Sequence, residues 1–437
     1  MCSGGGVSPG VKPPSRQSSG RAAYRGPKIT GKSDFLPKLL LSSAVVVIAL
    51  GFIMQERALP LVISAVQAYT SVSPLTNNGN EEALGDPLAG EEAGSSERVC
   101  ARAESRYPVT VAPAPERMVV IGDIHGDMHA LEKCLRMAGL VDAQRNWAGG
   151  ETVLVQVGDV FDRGDADLEA EEWLWVLEEQ AKKAGGAVLS LLGNHELMNA
   201  LGDHSMASRQ AYTPFEDLKE TLQPAFKKYG HALTGVPEWA HARLLAMVPN
   251  GPVANMLASH SITMLVGDTL FVHAGILPRH LEPENCWGAS GVECLTSLNQ
   301  RAHEWLKGKR PMDQVTFMDP ESMLWTRKYS MPYGKELSMS AERDLSLVLE
   351  ATGARRMVVG HTPQMSFGIN SAAQGRIWRV DTGMTEMIGG RPEALEVLAG
   401  GEISILTENG RVPAAQRACG RSARPGLSPG RMAASAA

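Results

Sequence analysis

The sequence has no CxxC pair, no internal repeat and no excess of positive charge, and these absences remove several classes of protein. Its six cysteines, Cys2, Cys100, Cys134, Cys286, Cys294 and Cys419, are too sparse in 437 residues for a disulfide framework or a structural zinc site. Cys286 and Cys294 could pair in an oxidising compartment, but unpaired thiols are the expectation. The formal charge of -6 comes from near-equal acids and bases. It offers no basic field for nucleic acid, so an anionic partner has to be drawn by a local site. What is present is enough for a core: 43% of the residues are hydrophobic, which excludes a wholly disordered chain.

The N-terminus lacks acids. Residues 1–33 hold Lys12, Arg16, Arg21, Arg25, Lys28 and Lys32 among Gly, Ser and Pro, which reads as a disordered basic segment. The uncharged run "LLLSSAVVVIALGFIM", residues 39–54, follows between Lys38 and Arg57. At 1.5 Å per residue it spans about 24 Å, short of a hydrocarbon core unless the flanking side chains snorkel. It reads as a transmembrane or signal-anchor helix, and the membrane is therefore a partner. The basic flank then stays cytosolic and the rest of the chain lies on the non-cytosolic side. The alternatives are a cleaved signal or an organellar transit sequence, for plastid or mitochondrion.

Residues 70–114 mix acids with Asn, Gly and Ser without an apolar period and read as a flexible linker. Residues 410–437 read as a disordered tail. Between them, 115–409, strand and helix patterns alternate. "RMVVIGD", "ETVLVQVGD" and "AVLSLLGNHE" are strands, separated by the helical "DMHALEKCLRMAG" and "LEAEEWLWVLEEQAKKAGG". This βαβαβ order predicts an α/β fold with a parallel sheet flanked by helices. Later strands fall at "ITMLVGD", "TLFVHAG", "RMVVGHT", "RIWRVDTG" and "GEISILTE", enough for two packed sheets. A mostly helical stretch, about 197–259, is either a wall beside the site or a structural insertion; Met198, Asn199, His204 and Tyr212 are its candidates for facing the site.

The chemistry gathers at strand ends. Asp123 and His125 follow the first strand, Asp159 the second, and Asn194 and His195 the third. In a parallel sheet those turns open on one edge, where ligands bind. His273 and His361 end later strands. Any one such residue is ordinarily a turn or boundary residue. Together, two Asp, one Asn and three His suit a pair of divalent metals, and the mix of imidazole with harder oxygen ligands admits Mn, Fe or Zn. His195 stands apart, because neighbouring side chains leaving a tight turn point in different directions.

The ordered motifs "GDIHGD", "GDVFDRGD", "GNHE", "VHAG" and "GHT" resemble the phosphoprotein phosphatase branch of the calcineurin-like metallophosphoesterases. "GNHELMN", "LFVHAGILP", "LWTRKYS" and "IWRVDTGM" further resemble the Shewanella-like protein phosphatases, over nearly all of 117–405. The resemblance implies the calcineurin-like fold of two packed sheets. It implies one metal on Asp123, His125 and a bridging Asp159, and another on Asp159, Asn194, His273 and His361. The activity implied is hydrolysis of phosphomonoesters on phosphoproteins, phosphotyrosine or phosphoserine/threonine, by in-line attack of a metal-bound hydroxide. Arg163 and, by position, Arg327 would bind the phosphate together with Asn194. His195 would protonate the leaving oxygen, with Asp162 orienting its imidazole.

Two departures stand out. Many nucleases and cyclic-nucleotide phosphodiesterases with this core end in GHxH, whereas here Pro363 follows "GHT", which favours phosphomonoesters. Phe161 occupies a place where the motif usually has Val. The competing expectations are a hydrolase of dinucleoside polyphosphates or other small phosphoesters, and an inactive docking module on the same fold.

Overall fold

A computed structural model of the protein describes residues 107–417, apart from residue 287 and residues 314–316. The segments 1–33 and 39–54 lie outside the described residues. Among the described residues no helix is long and apolar enough to cross a membrane.

Two six-stranded sheets form the centre. The first has the order β12-β11-β10-β2-β3-β4, and the second β1-β5-β6-β7-β9-β8, with β8 at Asn370–Ala372 and β10 at Ala394–Leu398. In the first, β2 (Arg117–Ile121), β3 (Val153–Gln156) and β4 (Ala187–Ser190) run parallel. They are joined by α1 (Met128–Met137) and α2 (Asp167–Lys183), the predicted βαβαβ order. Asp127 starts α1 by accepting the Ala130 N–H, which satisfies one of the free donors of the first turn. In the second sheet, β6 (Thr269–Val272), β7 (Arg356–Val359) and β9 (Ile377–Arg379) are parallel neighbours.

Alternation along the strands places the core. Met118 and Val120 of β2, Val155 of β3, Phe271 of β6, Val358 of β7 and Trp378 of β9 fill the space between the sheets. Val119 and Ile121 turn to the opposite face and pack with Leu131, Leu135 and Leu174 of the helices. α7 (Gly291–Leu306) packs on β5 of the second sheet with α8 (Met339–Thr352) beside it, and α8 ends on Gly353 in the left-handed conformation.

Three expectations are corrected. The boundary at residue 115 leaves out β1 (Val111–Ala112), which pairs parallel with β5 (Thr263–Val266) and so joins the expected linker to the sheet. The boundary at 409 likewise leaves out β12 (Gly410–Pro413), antiparallel to β11 (Ile403–Thr407). Strands of two to four residues are too short to show a period. Cys286 and Cys294 are bonded, with Cα atoms 4.8 Å apart, because the turn before α7 folds the chain back on itself.

Candidate metal centre

The first two turns are joined by backbone before any side chain enters. The amides of Ile124 and His125 both donate to the Asp159 carbonyl (3.0 Å each), Gly126 donates to Val160, and Gly164 donates to His125. Gly158 and Gly193 bring the second and third turns into contact; a Cβ on Gly193 would lie 2.1 Å from Asp159 Oδ1. His125, Asp159, Asp162, Arg163 and His361 all have φ between 51° and 70°. They are half of the ten non-glycine residues with positive φ among the described ones, so backbone strain of order 1–3 kcal/mol per residue is concentrated here.

Glu196 offsets that strain. Its buried carboxylate accepts the amides of Asp159 (2.9 Å), Val160 (2.9 Å), Phe161 (3.1 Å) and Gly193 (2.7 Å). It stands in "GNHE", where nothing in the sequence marks its role. Its neighbours Asn194 and His195 carry the recognisable donor chemistry, whereas its four partners are main chain.

The donors converge on Asp159 Oδ2. His273 Nε2 lies 3.2 Å from that oxygen, His125 Nε2 3.8 Å and His195 Nε2 3.9 Å. On the other side, Asn194 Oδ1 lies 3.1 Å from His273 Nε2 and 2.9 Å from His361 Nδ1. Two donors each about 2.1 Å from one ion, at octahedral to tetrahedral angles, are roughly 3.0–3.5 Å apart, so this spacing fits coordination.

The histidines differ in what holds them. His125 Nδ1 is 3.0 Å from the Phe161 carbonyl, His273 Nδ1 2.8 Å from the Val157 carbonyl, and His361 Nε2 3.1 Å from the Trp325 carbonyl. A carbonyl only accepts, so each ring carries its proton there and turns a bare nitrogen inward, as metal-binding imidazoles do. His195 has a different partner: its Nδ1 is 2.7 Å from Asp162 Oδ2. A carboxylate behind the ring supports the protonated form.

Electrostatics follow the same division, with one exception. Burial pushes His125 and His361 down to about 3, so both are neutral. Burial also disfavours a charged His195, but Asp159 and the Asp162 hydrogen bond outweigh it and raise the ring above its ordinary value. His273 is raised as well, by Asp159. Burial would raise Asp159, yet His273, His195 and His125 hold it well below the usual carboxylate range.

Two tight groups result, His125–Asp159–His195 and Asp159–His273–His361. Asp123 is in neither, a departure from the expected first set. Its buried carboxylate accepts the His361 amide at 3.1 and 3.2 Å, and burial, then Asp381 and Asp159, raise it well above its usual value. Arg163 projects its Nη2 to 3.4 Å from His195 Nε2, and its buried Nε has no hydrogen-bond partner. Arg327 is exposed; its Nη1 donates to Thr362 Oγ1 (2.9 Å) and the His361 carbonyl (3.3 Å).

The helical stretch after α3 (Asn194–Ala200) lies partly behind this centre. Met198 touches Asn194, and Asn199 Nδ2 donates to Asp162 Oδ1 at 2.9 Å. His204 and Tyr212 instead surround Arg243, a buried cation that the sequence reading missed. The Met206 carbonyl accepts the Arg163 amide, tying this stretch to the second turn.

A family model described as calcineurin-like phosphoesterase matches residues 116–365. Shewanella-like protein phosphatase 2 of Arabidopsis thaliana is 32% identical over 320 residues, 68% of this chain and 78% of that protein. Shewanella-like protein phosphatase 1 of Plasmodium berghei is 28% identical over 276 residues, 62% and 67% of the two chains. The crystal structure of the cold-active protein-tyrosine phosphatase of a psychrophilic Shewanella superposes with a TM-score of 0.54 at 21% identity, over 77% of this chain and 89% of that one. At that identity the likeness shows the fold.

Proposed function

Because the chain belongs to the calcineurin-like phosphoesterases, and within them to the Shewanella-like protein phosphatases, we propose that it is a metal-dependent phosphoprotein phosphatase acting on phosphomonoesters. The observation that carries this reading is the division of the histidines: three rings backed by main-chain carbonyls and one backed by a carboxylate. The first kind suits metal ligands and the second an acid.

His125 and Asp159, with Asp123 beside them, would hold one divalent cation. Asp159, Asn194, His273 and His361 would hold a second, and the mixed donor set admits Mn, Fe or Zn. When bound, two such cations polarise the phosphoryl group and make water nucleophilic at neutral pH. The chain's own residues supply the rest. Arg163 offers its unpartnered Nε and its outer nitrogens to the phosphate, Arg327 reinforces it from the rim, and Asn194 orients it. His195 delivers the Nε2 proton to the leaving oxygen while Asp162 keeps the other nitrogen protonated.

The test compares phosphate release from phosphotyrosine and phosphoserine peptides with hydrolysis of diadenosine tetraphosphate, using wild type and Asp159→Asn. Preference for the nucleotide overturns the protein-phosphatase reading. Equal turnover by Asp159→Asn removes this site from the reaction and returns the docking-module reading.

The proposal extends to location: residues 39–54 anchor the chain with the catalytic domain on the non-cytosolic side. The Cys286–Cys294 bond supports this, since disulfides persist in oxidising compartments. Carbonate extraction of membranes tests it; release of the full-length protein excludes the anchor and leaves the organellar alternative.

A further inference from the structure

Arg243 lies on α5 (Glu238–Met247), between β4 and β5, and its side chain is wholly buried. Its Nη2 donates to Asn199 Oδ1 (2.8 Å) and Asp162 Oδ1 (3.3 Å) and pairs with Asp167 Oδ2 (2.8 Å). Its Nη1 donates to Asp167 Oδ1 (3.1 Å) and the Ala211 carbonyl (3.0 Å), and its Nε to His204 Nδ1 (3.1 Å) and Asn199 Oδ1 (3.2 Å). All three nitrogens are thus committed, and only a planar fork can serve so many acceptors at once.

The consequence falls on Asp162, whose two oxygens take separate partners. Oδ1 accepts from Arg243 and Asn199, while Oδ2 is left to the His195 ring. Asp167 completes the cradle by accepting the Asp162 amide at 3.1 Å. One guanidinium against two carboxylates leaves a buried charge of minus one, which matches one protonated imidazole. Aromatic rings enclose the cation, with centroids at 4.9 Å for Phe215, 5.3 Å for Tyr212 and 5.9 Å for Phe161. Phe161 is the residue that departs from the usual motif, so the departure lies where the helical insertion meets the second turn.

We propose that Arg243 is a positioning residue for proton delivery: it fixes the Asp162 carboxylate and, through it, the orientation of His195, with Phe161, Tyr212 and Phe215 as its enclosure. The proposal rests on His195 being the acid. Arg243 is wholly buried, and none of its hydrogen-bond partners is a metal-donor candidate. A buried ion pair adds little to stability compared with well-packed apolar groups, so a purely structural role accounts poorly for a cation aimed at Asp162.

The experiment uses Arg243→Lys, which keeps the charge but not the fork, beside the charge-balanced double variant Arg243→Met/Asp167→Asn and His195→Ala. Each metal-loaded protein is assayed on phenyl phosphate, a poor leaving group, and 2,4-dinitrophenyl phosphate, a good one. Folding is checked by circular dichroism. With Arg243→Lys, kcat on phenyl phosphate is expected to fall roughly tenfold or more at unchanged KM, with a much smaller loss on the dinitrophenyl ester, because only the poor leaving group needs an acid. In the metal-free protein, the low-field proton signal of the His195–Asp162 hydrogen bond should weaken in Arg243→Lys.

Equal losses on both esters, or an unchanged proton signal, would overturn the proposal. So would failure of both Arg243 variants to fold, which would make Arg243 a folding determinant. If His195→Ala also lacks the leaving-group dependence, the failure belongs to the reading of His195 as acid; if it has that dependence and the Arg243 variants do not, the failure belongs to Arg243.

Discussion

The four histidines around Asp159 divide into a ligand side and an acid side by what backs them: His125, His273 and His361 each rest a ring nitrogen on a main-chain carbonyl, whereas His195 rests on a carboxylate held by Asn199 and Arg243. The carbonyls of Val157 and Phe161 belong to the turn after β3 and that of Trp325 to the connection between α7 and α8, so the ligands are held by main chain. The carboxylate is a side chain, and its orientation has to be built from other side chains, several of them in the helical insertion. A cation needs only fixed lone pairs. A proton donor needs a charged partner whose position and charge are both held, which the sheet alone does not provide.

The largest effect should come from the residue common to both sides. Asp159→Asn is expected to lower kcat by roughly 10³-fold and to lose bound metal, checked by turnover and metal analysis. Full metal content would mean that the two sides do not meet at Asp159. Next, His195→Asn should lower kcat on poor leaving groups by about 10²-fold with metal content intact, whereas His273→Asn should lose metal. Parallel behaviour of the two variants would erase the distinction.

A third effect concerns pH and has one sign for His125 and His361 and the opposite sign for His195. His125 and His361, pushed down to about 3, stay neutral when folded but take up protons near 6.5 when unfolded. Their contribution to the stability of the metal-free protein is present above pH 6.5 and is lost as pH falls toward 3. His195, raised above 6.5, contributes stability that is present below that pH and is lost as pH rises through its folded value. His273, 3.2 Å from Asp159 Oδ2, goes with His195 in this respect. Urea midpoints from pH 5 to 8 should fall less steeply with acidification in His361→Asn than in wild type, and His195→Asn should shift the alkaline side instead.

The smallest expected effect is that of Phe161→Val, which should cost about 2 kcal/mol of unfolding free energy. It should slow poor leaving groups less than Arg243→Lys does. A larger kinetic effect than that of Arg243→Lys would place the orientation of Asp162 in the ring packing rather than in the fork.

The sequence shows the ligand side far better than the acid side. Asp123, His125, Asp159, Asn194, His273 and His361 each follow an apolar strand, and the parallel order brings them to one edge; Asp123 lies beside the two tight groups and accepts the His361 amide. Arg243 could not be read in the same way. It sits in "EWAHARLLAM", an ordinary helical stretch, and its partners Asp162 and Asp167 are 81 and 76 residues away. β10 (Ala394–Leu398) was missed for a related reason. It carries a buried Glu396 in mid-strand, which breaks the apolar pattern and forms ion pairs with Arg117 and Arg411 from the neighbouring strands.

Glu196 has one more consequence. A single carboxylate receives amides from residues 159, 160, 161 and 193, so none of those amides can exchange with solvent by opening alone without disturbing the acceptor of the others. The two turns should therefore behave as one cooperative unit in time, opening and closing together at a common rate, so that the site is either whole or wholly dismantled.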